Sequence, residues 1–369
     1  MAQIQYFLGA NSPTGFYSLY DQLIDRESAR GLYILKGGAG CGKSSFMRRV
    51  ARHAEAAGFK AEYILCSGDP DSLDAVILPE LKVALVDGTA PHVIEPKYPG
   101  VVERYVNLGK FYDSEGLQEV RAAVIEETKE YQKHYKRCYR CLSAAAELDG
   151  DNRDLMLTRE TEGKLLKRAR GIIGRELKGS GNGGAVTQRF LDAVSCSGRL
   201  GLWDTVDAQC KRVYVLEDSF GLSDVLLEPI LAAATARDYD VIACPDPMAP
   251  DRIAHLLIPE LNLGFVTSTP ELSYPDRPYR RIRLDAMAEE TYRRFRSRVR
   301  FARKVSAALK EEAMAALEQA KAQHDALEAL YNPYVDFDGV YALADETAAE
   351  IIPNGVTASP QPRTADPQA

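Results

Sequence analysis

The chain lacks any apolar run approaching the roughly 20 residues a bilayer-spanning helix needs, so no membrane span is expected. Its first residues, Met1-Ala2-Gln3-Ile4-Gln5-Tyr6, lack the basic region and apolar core of a secretory signal. The 7 cysteines follow no framework spacing, which predicts reduced thiols and a cytoplasmic protein. A surplus of positive charge is missing too. The net charge of −7 argues against a dedicated nucleic-acid binder. What remains, 46% hydrophobic and 27% charged residues, is ordinary for a globular protein. At 369 residues, two domains are expected rather than one.

One stretch carries most of the chemistry. Gly37-Gly38-Ala39-Gly40-Cys41-Gly42-Lys43-Ser44 fits G-x-x-x-x-G-K-[ST], the phosphate-binding P-loop or Walker A motif. Gly31–Lys36 before it reads as a buried strand, and Ser45–Ala54 after it as a helix. Glycines let the backbone curl and aim successive N–H groups at phosphate oxygens. The helix start, including Ser45, adds its positive end. Lys43 is expected to reach the β- and γ-phosphates of ATP, and the Ser44 hydroxyl to ligate Mg²⁺. No N-K-x-D guanine signature is present, so ATP is preferred over GTP.

Around the loop, Ile4–Leu8, Lys60–Cys66 and Val83–Asp87 read as further strands. Strands alternating with a helix predict mainly parallel pairing. From 115 to 178 charges dominate and apolar residues recur at helical spacing (Val120, Val124, Tyr131, Tyr135, Leu142), which predicts a helical hairpin. Lys178–Gly184 reads as a flexible linker.

The first half then starts again. Tyr6–Asp21 aligns with Arg189–Asp204 with identities at Phe7/Phe190, Leu8/Leu191, Ala10/Ala193, Ser12/Ser195, Gly15/Gly198, Leu19/Leu202 and Asp21/Asp204. Tyr33-Ile34-Leu35 matches Tyr214-Val215-Leu216, and Pro79-Glu80-Leu81 matches Pro259-Glu260-Leu261. Residues 286–330 echo the charged helical stretch. Three blocks in the same order describe a duplicated domain with a period of roughly 180 residues.

The duplication serves as an internal control. Opposite the glycine loop, the second copy has Glu217-Asp218-Ser219-Phe220-Gly221-Leu222-Ser223-Asp224-Val225. Lys43 faces Asp224 or Ser223, and Ser44 faces Val225 or Asp224, depending on a one-residue gap. A carboxylate ~4 Å from a phosphate charge is repelled by about 4 kcal/mol at an effective dielectric near 20. The second copy is therefore expected not to take nucleotide in the usual way. Acids shared by both copies, Asp71/Asp251 and Glu80/Glu260, read as structural. Asp69 (facing Ala249), Asp87 (facing Thr267) and His92 (facing Leu272) occur only in the first copy and are candidates for chemistry.

Asp87 ends an apolar strand, as a Walker B acid orienting Mg²⁺ does; it also fits an ordinary turn cap. Gly88 follows it, so the adjacent glutamate many ATPases use on water is absent. His92 could contact the γ-phosphate or position water, or be structural. Asp69 and Asp71 fit either a substrate-binding strand end or an Asp-Pro turn. Cys138-x-x-Cys141 has no second pair for zinc and reads as helix packing. Arg293–Lys304 is strongly basic. It reads as a solvated or paired helix face, with docking of an acidic partner, RNA or an anionic membrane surface, or an in-chain arginine finger, as alternatives.

The block from Asp71 through Leu78-Pro79-Glu80-Leu81 and Val83-Ala84-Leu85-Val86-Asp87 to Pro96 resembles a family of uncharacterised bacterial tandem P-loop proteins. They are described mainly as ATPases or nucleotide-binding proteins, and the likeness runs to about residue 350. The resemblance implies two P-loop NTPase-like domains and ATP binding. Family members can carry a second P-loop; here that loop is lost.

The expectation is an α/β protein: an active P-loop domain over 1–110, a helical hairpin over 111–178, a linker over 179–185, a degenerate P-loop-like domain over 186–285, a helical region over 286–352 and a disordered tail over 353–369. The expected activity is Mg-dependent ATP hydrolysis by the first copy, with the second as regulatory or scaffold partner. Phosphate transfer to an unknown acceptor is one alternative. A nucleotide-gated module that holds a protein partner through its helical hairpins is another.

Overall fold

The structure is a computed structural model that describes residues 3–89, 94–179, 181 and 183–353. The expected tail, apart from Pro353, and linker residues Ser180 and Asn182 lie outside the described residues.

The first half runs β1 (Ile4–Tyr6), β2 (Gly9–Ser12), β3 (Gly15–Ser18), β4 (Gly31–Lys36), α1 (Lys43–Ala56), β5 (Glu62–Leu65), β6 (Leu73–Leu78), β7 (Val83–Asp87), β8 (Glu103–Asn107), α2 (Arg121–Met156) and α3 (Arg159–Glu176). The second runs β9 (Val186–Gln188), β10 (Asp192–Ser195), β11 (Gly198–Gly201), α4 (Trp203–Gln209), β12 (Arg212–Glu217), α5 (Ser223–Thr235), β13 (Val241–Asp246), β14 (Ala249–Ile258), β15 (Leu263–Ser268), β16 (Arg280–Arg283), α6 (Glu289–Tyr331) and α7 (Phe337–Ile351).

Each half builds one six-stranded sheet, ordered β1-β5-β6-β7-β4-β8 and β9-β13-β14-β15-β12-β16. Strand for strand these orders are the same, so the repeat seen in sequence is a repeat of topology. Both sheets are mixed but mainly parallel: three of the five pairings in each are parallel, and one strand of six runs against the rest. β6 lies antiparallel to β5 and β7, and β14 to β13 and β15. The cause is local. Asp69-Pro70-Asp71-Ser72 turns the chain straight back beside β5, with Ser72 N–H donating to Asp69 O, and no helix intervenes. The short run Leu73–Leu78, apolar but for Asp74 and buried on both faces, is a strand that periodicity alone did not isolate.

Equivalent turns repeat down to single bonds. Ser12 Oγ donates to Gly15 O at 2.7 Å, and Ser195 Oγ to Gly198 O at 2.9 Å. Gly15 and Gly198 take φ of 109° and 101°, a region open to glycine. The halves meet where equivalent residues pair with each other: Phe7 N–H donates to Phe190 O at 3.0 Å and Phe190 N–H to Phe7 O at 2.9 Å. Reciprocal pairing of one position with its own copy marks a pseudo-two-fold axis.

The helices depart from two self-contained hairpins. The 36-residue α2 lies along the 43-residue α6, and the two share a small core of Cys138, Leu142, Ala313, Ala316 and Leu317. Each half then lends its last helix to the other. α3 packs on α5 in the second half's core, through Leu165, Ala169 and Ile172. α7 packs on α1 in the first half's core, through Val340, Ala344, Ala348 and Ile351. Gly184 is also less a hinge than a close approach: a Cβ there would sit 2.0 Å from Tyr239 O.

Candidate functional site

β4 is fully buried except at its last residue, Lys36, where the chain leaves the sheet and enters the glycine loop. α1 follows because Phe46, Met47, Val50, Ala51 and Ala54 bury one face of it. Its N-cap is Gly42 at φ 81° with no capping side chain. Phe46 N–H closes the first helical bond onto Gly42 O, so the preceding N–H groups, those of Lys43, Ser44 and Ser45, are spare helix-start donors. Lys43 Nζ folds back to Gly37 O at 2.9 Å and Gly38 O at 2.7 Å. It also stands 3.6 Å from Asp87 Oδ2.

β7 places that aspartate. It pairs in parallel directly with β4, with Leu35 opposite Asp87, so the carboxylate emerges beside the loop. One oxygen caps a turn, accepting Thr89 N–H at 2.8 Å and Thr89 Oγ1 at 2.5 Å. The other faces Lys43. The turn-cap reading of Asp87 therefore holds on one oxygen, while the other is left beside Lys43 at the loop. Ser44 Oγ accepts Leu73 N–H at 3.1 Å. Cys41 is buried in the loop, and burial pushes its thiol above the usual range, which works against a reactive thiolate.

The second half's loop is one residue shorter. Its helix begins at Ser223 after Leu222, as α1 begins at Lys43 after Gly42, so Lys43 corresponds to Ser223 and Ser44 to Asp224. The loop is filled by its own chain. Asp218, 2% exposed, accepts Phe220 N–H at 3.0 Å, Leu222 N–H at 2.6 Å and Ser223 N–H at 2.7 Å. A carboxylate thus occupies an anion-binding nest of backbone donors. Burial, with Asp285 nearby, raises its pKa to about 6 against the pull of those three bonds. Asp224 is bound bidentately by Arg153, from the end of α2, at 2.9 and 2.7 Å. The half that lacks the glycine-rich loop carries its own anion in the nest, with a cation from the first half's α2 beside it.

The first half's loop has a different neighbour, one with no local signature in the sequence. The α6–α7 junction closes over it. A Cβ on Gly40 would meet Asn332 Oδ1 at 2.8 Å and Glu328 Cα at 3.2 Å; one on Gly38 would meet Tyr112 Oη at 2.9 Å. With its amide turned to satisfy both groups, Asn332 donates to Gly40 O and Glu328 O, each at 3.2 Å. Val340 and Phe337 pack against Gly42. Only distance along the chain, not composition, hides this contact: Asn332 lies some three hundred residues from Gly40.

The remaining candidates separate. Asp69 forms its turn, accepting Ser72 Oγ at 3.0 Å, and sits 3.6 Å from Lys321 of α6. Asp71 is bonded through its backbone: its oxygen accepts from Arg48 and its N–H donates to Asp69 Oδ1 at 3.3 Å. His92 lies outside the described residues. Cys138 is fully buried in the α2–α6 seam, where it packs. Of the basic run, Arg293 pairs with Glu289, Arg298 with Asp151, and Arg303 lies over Phe220 at 4.3 Å while donating to Ser219 O. Arg303 therefore serves the second half's loop, not the first's. His324, Asp325 and Glu328 bring three ligand-type atoms together on α6, but Lys321 already pairs with Asp325 at 2.5 Å.

No protein-family model, curated protein or solved structure matches the chain.

Proposed function

We propose that residues 37–45 bind ATP with Mg²⁺ and that the first half hydrolyses it, while the second half acts as a scaffold that does not take nucleotide. The observation that carries this reading is Asp218. In the same chain and topology, an oxyanion seats in the equivalent loop on the N–H groups at the helix start. The first half keeps the helix-start donors, adds glycines and a lysine, and puts no carboxylate of its own in the loop. An oxyanion from outside, a phosphate group, is what the arrangement suits.

The residues divide the work. Loop N–H groups hold the phosphate oxygens. Lys43 exchanges the Gly37 and Gly38 carbonyls for β- and γ-phosphate oxygens. Ser44 and Asp87 would hold the metal, which when bound neutralises the charge on those oxygens. The closed α6–α7 junction supports a second reading, a nucleotide-gated module with little turnover, because ligand at the loop would act directly on helices rooted in the other half. Phosphate transfer predicts ATP loss that depends on an added acceptor.

Measuring ATP binding and turnover of the full chain beside Lys43→Ala separates these. Hydrolysis predicts magnesium-dependent turnover that falls about a hundredfold or more in the variant, the scale on which one transition-state donor acts. Equal turnover by both proteins removes the hydrolysis claim. Tight binding with negligible turnover selects the gated module.

A further inference from the structure

Beside the Phe7–Phe190 bridge, the two halves line an open-mouthed cavity of about 330 Å³. Tyr6, Glu62 and Ile77 line it from the first half, and Thr187, Arg189 and Ile242 from the second. The registers make these near-equivalents. β1 pairs Ile4 with Glu62, and β9 pairs Thr187 with Ile242, so Glu62 corresponds to Ile242 and Tyr6 to Arg189. The pseudo-symmetry is broken by charge: an acid on one side and a guanidinium on the other.

Arg189 is 6% exposed. Its Nη1 is fixed by Gln22 O at 2.7 Å and Gln188 O at 2.9 Å. Among the described residues nothing accepts from Nε or Nη2, so part of the planar fork that suits a carboxylate is spare. Glu62 is partly buried, and among the described residues its carboxylate accepts no recorded hydrogen bond and forms no ion pair with Arg189. Each group feels the other only across the gap; burial raises the Glu62 carboxyl and lowers the Arg189 guanidinium. A buried guanidinium with unused donors and a partly buried carboxyl, held apart in one cavity, suit a ligand charged at both ends. Ile24, Ile77, Pro79 and Ile242 supply apolar wall, and Lys82 adds positive charge at the exposed margin. The volume lies at the small end for ligand sites.

We propose that this cavity binds a free α-amino acid with an apolar side chain, its carboxylate on Arg189, its ammonium on Glu62 and its side chain against the isoleucines.

Calorimetric titration of the full chain, without nucleotide, with L-leucine, 4-methylpentanoate (no ammonium) and 3-methylbutylamine (no carboxylate) tests it. Saturable leucine binding is expected, about tenfold or more weaker for each analogue and for Glu62→Gln. Arg189→Gln should also lose leucine; because Arg189 ties down Gln22, its fold is checked by thermal unfolding, and the analogues and Glu62→Gln decide if it fails. The proposal is overturned if leucine, valine, isoleucine and methionine show no saturable binding up to about 10 mM, if either analogue binds as tightly as leucine, or if Glu62→Gln binds leucine like the parent. No nucleotide enters the experiment, so its outcome is independent of the ATP reading.

Discussion

Asp218 is the residue on which the contrast between the halves turns, and its proton is a direct handle on it. An acid whose pKa is raised from 3.8 to about 6 in the folded chain holds its proton more tightly there than when unfolded. Its contribution to stability is fully present below about pH 4 and is lost as pH rises through about 6. Asp218→Asn cannot ionise. Its stability relative to the parent should therefore improve between pH 4 and pH 7, by roughly 2–3 kcal/mol, whatever constant cost the amide incurs. Urea unfolding of both proteins at several pH values in that window measures it; a pH-independent difference would show that Asp218 does not titrate as described. Part of this residue's role was legible in the sequence. Acids opposite the glycine loop implied repulsion of a triphosphate. That one of them turns inward and takes the loop's own N–H groups was not legible, because a carboxylate facing out and one facing in have the same spelling.

At the scale of elements, periodicity identified strands β4 and β7 to the residue and located the long helices, since both signals are local. Partner choice was not local. An apolar stripe says that a helix face is buried, not against what, so the helices after β8 read as a hairpin, whereas α2 lies on α6 and α3 on α5. The antiparallel β6 escaped for a related reason: a short run buried on both faces has no alternation to betray it. The Arg153–Asp224 pair tests whether the exchange of helices matters energetically. It joins the end of α2 to the start of α5, and both side chains are buried. Arg153→Met leaves Asp224 charged and unpaired in the interior, at a cost of about 3–5 kcal/mol. Adding Asp224→Leu should recover most of that loss, because the second change removes the stranded charge. Chemical denaturation of the parent, both single variants and the double variant checks it. If the double variant is no more stable than Arg153→Met, the pair is not the reason.

For the whole molecule, the exchange makes the halves interdependent. The first half's core is completed by Val340, Ala344, Ala348 and Ile351, which arrive more than two hundred residues later in the chain, and the second half's by Leu165, Ala169 and Ile172 from before it begins. Arg49 of α1 adds an ion pair and His53 a hydrogen bond to Asp345 of α7, and together they hold its carboxyl near 2, well below the usual range. A polypeptide of residues 1–178 alone would expose the apolar face that α7 covers, while carrying an α3 with nothing to cover. Two stretches of buried surface that can close only on each other favour association over separate folding. Residues 1–178 and 185–369 made separately should each bind a hydrophobic dye and aggregate; co-expressed, they should purify together as a 1:1 complex with cooperative unfolding. Two fragments that are each monomeric, cooperatively folded and indifferent to one another would refute the exchange of helices. Because the same α6–α7 segment that completes the first core also rests on Gly38, Gly40 and Gly42, ATP binding should return only when the fragments are combined, which ties the site to the pseudo-two-fold assembly rather than to the first half alone.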